Sequence, residues 1–401
     1  MDRFECLACG PVESRDPFSP FCPGCGEPLF AAAAGPPGRR RFRLDRSLAL
    51  ERFADFLPLE GIDPGLSLGE GSTPLLPLAR VGADLGLPAV GAKNEAQNPT
   101  ASFKDRGTAV AVQKAVALGL GRIGTVSTGN MAASTAAYGA RAGLPTFVLL
   151  KEGTSEASLR AAAAFRPRLV AVAGDYGALF RASLEIGRRL GIAFLNSIDP
   201  FRLEGYKLTA FEIFLQLGGR APRSLVAPVS SGGHFLGLLR GFDDLEREGM
   251  IKAYPLVVGV QAEGCAPLVR AFESGRPRFE RIAEVRTIAH AIANPDPPAG
   301  NAVLRLVRER GGLLLAVPDA DMLEAQARLA GAEGLFVQPE SAAALAALER
   351  LARSGRIGGD GDDVLVLTGS GLKSAGTSAA GPAGVRASRL DRLEADLAEL
   401  L

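Results

Sequence analysis

The sequence lacks an excess of either charge, a long hydrophobic run and an apolar N-terminal segment. Its 45 basic and 44 acidic residues leave a formal net charge of +1, which is too small to attract nucleic acid or an anionic membrane. No run of about 18 apolar residues occurs, so we expect no membrane span. The segment from Met1 to Glu5 is polar and has no signal-peptide core. We therefore expect a cytoplasmic protein without a nucleic-acid or membrane partner.

Cysteine is also scarce, but four of the five cysteines lie within the first 25 residues, where twelve residues separate two Cys-x2-Cys pairs. Paired knuckles of this kind suit a tetrahedral zinc site, and four thiolates make such a site closed and structural. Disulfides are disfavoured in a chain without an export signal. We predict a zinc-ribbon-like module with its linker over residues 1–38, or a degenerate ribbon without metal. The predicted ligands are Cys6, Cys9, Cys22 and Cys25.

From about Thr73 onward, short apolar runs alternate with helical patterns. Apolar runs of this kind indicate strands of a parallel sheet that helices cover on both faces, so the predicted fold class is α/β. The predicted strands are 123–127, 146–150, 169–172, 224–229, 256–260, 313–317 and 364–367. The predicted helices are 131–142, 155–165, 176–190, 235–246, 267–272 and 322–329.

The predicted catalytic region runs over residues 39–386, and a C-terminal amphipathic helix follows at 387–401. Leucines at 390, 393, 397 and 400 recur at helical spacing, so we expect this helix to pack on the body of the protein or on a partner subunit.

Polar turns at the ends of predicted strands are the places to search for a site, because ligands of open α/β sheets bind outside the carboxyl ends of the strands. Three turns are unusual: Ser127–Met131, Ser230–His234 and Thr368–Lys373. The glycines and serines of the second turn suit a phosphate. Asn196 and Ser197, with Arg202 nearby, suit a second anion.

The segment Asn98–Gly107 places Lys104 among turn formers at the mouth of a helical pattern. A lysine in this position can hold a cofactor aldehyde as a Schiff base. The alternative is a solvated surface lysine. A useful base near neutral pH needs a lowered pKa, from burial or a nearby cation. Arg106 favours such a shift and Asp105 opposes it.

From Gly71–Leu75 to Lys373, these motifs together resemble the pyridoxal-phosphate enzymes of the tryptophan-synthase-β fold (fold type II), and among them the threonine synthases. The resemblance implies a two-lobed parallel-sheet architecture, with a smaller lobe at roughly 108–202 and a larger lobe formed by the remainder. It also implies pyridoxal phosphate as cofactor, a homodimer and a small phosphorylated amino acid as substrate. The implied reaction converts O-phospho-L-homoserine and water to L-threonine and phosphate.

The resemblance assigns roles residue by residue. Lys104 is the implied catalytic residue. The implied cofactor-binding residues are Lys104, Asn130, Ser230, Ser231, Gly232, Gly233, His234 and Thr368. The implied substrate-binding residues are Ser127, Thr128, Asn130, Asn196, Ser197, Arg202 and Lys373. The loop that begins at Asn294 and Pro295 is expected to line the substrate entrance.

Two departures from the family pattern leave the substrate open. Ala101 stands where glycine is usual, and His234 ends a phosphate turn that usually carries asparagine. One alternative is β-replacement or elimination on a phosphoserine-like substrate, as in a cysteate synthase. A second is a threonine dehydratase-like lyase. A third, of another class, is a non-catalytic regulatory protein that binds through its zinc ribbon.

Overall fold

The computed structural model describes residues 3–13, 19–33, 38–127, 129–154 and 156–377. The predicted C-terminal helix at 387–401 lies outside these residues. Within them, no helix is long and apolar enough to cross a membrane.

Strands and helices alternate along most of the described chain. The strands are β1 Phe4–Cys6, β2 Gly10–Val12, β3 Leu29–Ala31, β4 Leu75–Pro77, β5 Val90–Asn94, β6 Ile123–Val126, β7 Thr146–Lys151, β8 Arg168–Val172, β9 Ala193–Phe194, β10 Ser224–Pro228, β11 Leu256–Ala262, β12 Leu313–Val317 and β13 Asp363–Leu367. The helices are α1 Ala49–Arg52, α2 Ala79–Leu85, α3 Lys104–Ala117, α4 Asn130–Arg141, α5 Glu156–Ala163, α6 Tyr176–Leu190, α7 Pro200–Tyr206, α8 Leu208–Gln216, α9 Gly233–Arg247, α10 Pro267–Glu273, α11 Gly300–Glu309, α12 Asp319–Glu333 and α13 Pro339–Arg353. Short 3₁₀ helices occur at Ala54–Phe56, Pro64–Leu66, Glu95–Gln97, His290–Ile292 and Gly371–Thr377.

The strands form three sheets, two of which carry the α/β architecture. The larger sheet has the order β12-β11-β10-β13-β5-β4, and only β4 runs antiparallel to its neighbour. The smaller sheet, β8-β7-β6-β9, is parallel throughout. The predicted α/β class is thus confirmed, and each predicted strand is present with its ends shifted by at most two residues.

Burial explains why the strands of the larger sheet have uninterrupted apolar sequences. Every residue of β10 and β13 is buried. Helix α13 packs against both strands through an alanine-rich face at 342–347. Small side chains let the helix lie close to the sheet, as both faces of a parallel sheet must be covered.

The sequence did not predict six helices, namely α1, α2, α7, α8, α11 and α13. Every residue of α7 is buried, as are seven of the nine residues of α8. A helix that is buried all round shows no alternation of polar and apolar faces, so its pattern carries little periodic signal.

The N-terminal strands form a separate antiparallel sheet of order β2-β1-β3. This sheet packs on the helices of the α/β region. The ring of Phe4 lies edge-on to Phe201 of α7 at 5.9 Å between centroids. The guanidinium of Arg240, on α9, lies 4.5 Å from the ring centroid of Phe30. The N-terminal sheet therefore rests on helices that lie directly behind the Lys104 segment.

Candidate active site

Backbone pairing joins the Lys104 segment to the end of β13. The N–H of Phe103 donates to the Thr368 carbonyl at 3.1 Å, and the N–H of Ser370 donates to the Ala101 carbonyl at 3.1 Å. Lys104 begins α3 one residue later. The pairing therefore places Lys104 beside Thr368, at the carboxyl end of the larger sheet, where ligands bind in this fold class.

Aromatic rings surround the Lys104 amine. Its Nζ lies 4.1 Å from the ring centroid of Phe103, which stacks in turn on the imidazole of His234 at 3.8 Å. Burial, and after it the positive charge of Arg202, lower the pKa of the Lys104 amine to about 7. Much of this amine is therefore neutral at neutral pH, as a nucleophile or general base requires.

Arg202 is fully buried, and protein atoms accept from its guanidinium on several sides. Its Nε donates to the Leu195 carbonyl at 2.7 Å, and its two Nη atoms donate to the hydroxyls of Thr108 and Thr135 at 2.6 and 2.7 Å. The expected contact of Arg202 with a substrate phosphate stays a prediction. In this structure the side chain has no accessible surface, and its charge acts on Lys104.

The Asn196 side chain is also hydrogen-bonded within the protein. Its Oδ1 accepts from the Val126 N–H at 2.8 Å, and its Nδ2 donates to the Ser183 hydroxyl at 3.1 Å. These bonds hold the end of β6 against α6, and the expected contact of Asn196 with a substrate anion stays a prediction. The neighbouring Ser197 differs, because within the described chain its buried hydroxyl has no hydrogen-bond partner.

Arg106 belongs to a buried network of balanced charge. It binds Glu95 at 2.6 and 2.8 Å and Glu212 at 2.8 and 2.7 Å. Lys93 donates to the same Glu212 carboxylate at 2.6 Å. Two cations and two carboxylates thus compensate one another beneath the start of α3. Arg106 fixes this end of the helix, whereas the pKa of Lys104 is set by burial and Arg202.

Asn130 begins α4 and faces the start of α13. Its Nδ2 donates to Oε1 of Gln338 at 2.7 Å. The Ser127 hydroxyl accepts from the Gly129 N–H at 3.2 Å. Thr128 lies outside the described residues. The first N–H groups of a helix have no intrahelical partner, so the start of α4 can receive an anion.

The glycines of the turn before α9 are required by geometry. Gly232 has a φ of +93°, a region that glycine enters without strain. A Cβ on Gly233 would lie 2.2 Å from the Ser197 carbonyl oxygen, so only glycine fits there. Ser230 and Ser231 keep negative φ, and they therefore need no glycine.

His234, the first residue after these glycines, is neutral. Burial, and then the charges of Lys104 and Arg106, lower its pKa well below 6.5. His234 therefore adds no positive charge to the turn. An anion there would be held by N–H groups, hydroxyls and the α9 dipole.

Thr368 and Lys373 lie at either end of the last turn. The Thr368 hydroxyl shares a hydrogen bond of 2.8 Å with the Ser341 hydroxyl. Lys373 donates from Nζ to the Thr100 carbonyl at 2.7 Å, and burial lowers the pKa of this amine. This bond ties Lys373 to the loop that precedes Lys104. The Lys373 side chain is only half-buried.

Helix α13 brings residues to the site that the sequence did not indicate. Gln338, Glu340 and Ser341 flank its first turn, and burial raises the pKa of the Glu340 carboxyl to about 7. Pro339 at the start of a helical pattern is the one signal by which sequence reasoning can find this helix terminus.

The residues present fit pyridoxal phosphate. Both ring nitrogens of His234 and the hydroxyls of Ser102 and Ser197 are buried without a hydrogen-bond partner in the described chain. Unpaired buried polar atoms indicate a ligand, because proteins otherwise satisfy such groups. Lys104 offers an amine, α9 begins at an anion-binding turn, and Thr368 offers a hydroxyl.

The four N-terminal cysteines cluster as the sequence predicts for a metal site. Their Sγ atoms all lie within 4.8 Å of one another, and Cys6 and Cys25 approach to 3.4 Å. A tetrahedral zinc with Zn–S bonds of about 2.3 Å requires sulfurs roughly 3.8 Å apart. The cluster is therefore compatible with zinc.

The sequence of this chain is similar to sequences of known enzymes. Residues 66–369 match the family described as "Pyridoxal-phosphate dependent enzyme". The chain is 38% identical to the threonine synthase of Methanocaldococcus jannaschii over 329 residues, which are 82% of this chain and 81% of that protein. It is 34% identical to the threonine synthase of Methanosarcina acetivorans over 377 residues, which are 93% of this chain and 92% of that protein.

Solved structures share the fold. Diaminopropionate ammonia lyase from Escherichia coli superposes with a TM-score of 0.67 at 15% identity, covering 78% of this chain and 87% of that one. The processed form of threonine deaminase isoform 2 from Solanum lycopersicum superposes with a TM-score of 0.63 at 19% identity, covering 74% of this chain and 83% of that one.

Proposed function

This chain belongs to the threonine synthases of the pyridoxal-phosphate-dependent enzyme family, and from that membership we propose that it converts O-phospho-L-homoserine and water to L-threonine and phosphate. The observation that carries the proposal is the Lys104 amine. This amine has a pKa of about 7 and lies between the end of β13 and the glycine turn before α9. This environment argues against the alternative of a solvated surface lysine.

Four groups of this chain would hold the cofactor. Lys104 would bind its aldehyde covalently, and the turn from Ser230 to His234 would bind its phosphate through N–H groups and hydroxyls. Asn130 would contact the ring oxygen and Thr368 the ring nitrogen. A hydroxyl at the ring nitrogen is a weaker acid partner than a carboxylate, so it favours an uncharged ring. When bound, pyridoxal phosphate supplies an electron sink for charge that develops on the substrate carbons.

Lys104 also carries the proton transfers. An amine with a pKa of about 7 can accept a proton from the substrate α-carbon and return it, since it populates both protonation states near neutral pH. The buried ring of Phe103, whose centroid lies 4.1 Å from Nζ of Lys104, would shield one side of the amine from water.

The substrate contacts are also proposals. We assign the substrate carboxylate to Ser127, Thr128 and Asn130 at the start of α4. The Arg202 and Asn196 side chains are hydrogen-bonded within the protein, so we assign the substrate phosphate first to Ser197 and Lys373. The Ser197 hydroxyl has no hydrogen-bond partner among the described residues, and Lys373 is a cation with accessible surface.

We further propose a structural zinc ion at Cys6, Cys9, Cys22 and Cys25. The clustering of the four sulfurs supports it, and a site with four thiolates leaves no open position for catalysis. A cytoplasmic homodimer is the proposed form of the enzyme, and sedimentation of the purified protein tests the oligomeric state.

Phosphate release and product identification test the function. The holoenzyme is assayed with O-phosphohomoserine, O-phosphoserine and threonine. We expect threonine and phosphate from the first substrate only. Turnover of O-phosphoserine would favour the cysteate synthase-like alternative, and release of ammonia from threonine would favour a dehydratase. A protein that binds no pyridoxal phosphate would refute the enzyme assignment altogether.

A further inference from the structure

A cavity of about 450 Å³ lies where the N-terminal cysteine module meets the catalytic body. The start of α6 and the loop that begins at Asn294 form part of its wall. The wall residues that matter here are Phe21, Gly26, Phe180, Ser197, Ser231 and Asn294. Two of them, Phe21 and Gly26, come from the cysteine module, which is the zinc-ribbon-like module of residues 1–38. No residue of this module has a role in the proposed reaction.

The cavity adjoins the Lys104 site. Ser231 directly precedes the glycine turn, and its hydroxyl accepts from Nδ2 of Asn294 at 3.1 Å. The Ser197 carbonyl touches the same turn, because a Cβ on Gly233 would lie 2.2 Å from it. His234 follows, stacked on the ring that lies beside the Lys104 amine. The cavity wall is thus linked to the Lys104 site through the glycine turn.

Phe21 closes one side of this cavity by an aromatic contact. Its ring lies edge-on to the buried ring of Phe180, with 6.4 Å between centroids and 73° between planes. This contact connects the cysteine module to α6 across the mouth of the cavity.

Two of the proposed metal ligands are adjacent in sequence to the wall residues of the cysteine module. Phe21 precedes Cys22, and Gly26 follows Cys25. Two backbone hydrogen bonds hold the intervening turn: Gly26 N–H to the Cys22 carbonyl at 2.9 Å, and Cys22 N–H to the Glu27 carbonyl at 2.8 Å. An ion bound to both cysteines would fix this turn, and with it the position of Phe21.

We propose that the second cysteine pair is a positioning element of the active site, in which a bound metal ion holds Phe21 as a wall of the substrate cavity. Phe21 then limits solvent access to the cofactor and increases the surface that a bound substrate buries. The inference rests on the proposed function only in treating this cavity as the approach of the phosphorylated amino acid.

The test compares Phe21→Ala and Cys25→Ser with wild-type holoenzyme. Phe165→Ala is the matched control, because this phenylalanine is 39% exposed at the end of α5 and does not line the cavity. Metal content, acrylamide quenching of the cofactor fluorescence, and KM and kcat for phosphate release are measured for each protein, with thermal melting as a check of folding.

We expect Phe21→Ala to retain metal and cofactor, to increase the quenching constant, and to raise KM about three- to tenfold with kcat nearly unchanged, because a bound substrate loses the surface that it buries against this ring. Cys25→Ser should lose the metal and show the same increase in quenching. Quenching and KM equal to those of Phe165→Ala would overturn the proposal. Quenching needs no substrate, so it tests the wall even if the enzyme turns over none of the three substrates.

Discussion

Arg202→Met is the most decisive single substitution, because it separates two roles for one arginine. A residue that binds the substrate phosphate changes KM and leaves the cofactor untouched. A buried cation that acts on Lys104 changes the chemistry of the amine before any substrate is added. The structure supports the second role, since Arg202 is fully buried and its donors are taken by Leu195, Thr108 and Thr135.

The expected effects follow from these contacts. Hydrogen bonds from a charged donor contribute about 1.5–3 kcal/mol each, although the threonine hydroxyls can reorient, so we expect a loss of roughly 3–5 kcal/mol of unfolding free energy. Removal of a like charge also raises the pKa of the Lys104 amine from about 7. A rise of about one unit corresponds to about 1.4 kcal/mol, which is a tenfold smaller fraction of neutral amine below that pKa.

The rate of cofactor attachment to cofactor-free enzyme measures this pKa. The neutral amine reacts with the aldehyde, so the rate rises with pH and reaches half its maximum near the pKa of the amine. We expect that midpoint near pH 7 in the wild type and at higher pH in Arg202→Met. Borohydride fixation at each pH identifies Lys104 as the attachment point.

Arg189→Met is the control, because Arg189 is a 67%-exposed surface arginine with only a 3.9 Å contact to Glu185. It should leave both the midpoint and the stability unchanged. An unchanged midpoint in Arg202→Met, together with a large rise in KM for O-phosphohomoserine, would refute the reasoning and restore the substrate-phosphate role of Arg202.

Three further outcomes are expected. Ala101 has a φ of +58°, so Ala101→Gly should raise the unfolding free energy by about 0.5–1 kcal/mol, whereas Ala109→Gly within α3 should lower it by about 1 kcal/mol; a loss in both would exclude backbone strain at Ala101. Metal analysis after zinc-replete expression should find one equivalent, and less than half an equivalent would indicate an empty ribbon. Burial and Arg202 depress the pKa of Lys104 from 10.5 to about 7. Below pH 7 the amine is charged in the folded protein, so the cost of burying this charge lowers the unfolding free energy of the cofactor-free protein by its full amount. Stability relative to Lys104→Met should rise between pH 7 and 10, by up to about 1.4 kcal/mol per pH unit, and a flat difference would contradict the lowered pKa.

Sequence patterns indicated seven strands and the turns at their ends, because each of these strands is a short apolar run bounded by glycine, proline or polar residues. They did not indicate β4, β5 or β9. The same reasoning did not predict α1, α2, α7, α8, α11 or α13. Helix α7 is buried on every side, including Arg202 and Glu204, so its sequence has no exposed polar face to reveal the helical period. Gln338 and Ser341 reach the site from α13 only through tertiary packing.

The sequence by itself determined the identity of the reactive groups: a lysine before a helix, a glycine turn that suits phosphate, a hydroxyl after the last strand, and two cysteine pairs. Local chemistry and spacing suffice for these, because each motif carries its own donors and backbone freedom. Only the tertiary structure decided what Arg202 and Arg106 do, since a guanidinium can bind a ligand, an ion pair or a carbonyl. Which partner it meets depends on helices brought together across the chain, where burial makes every unpaired donor costly.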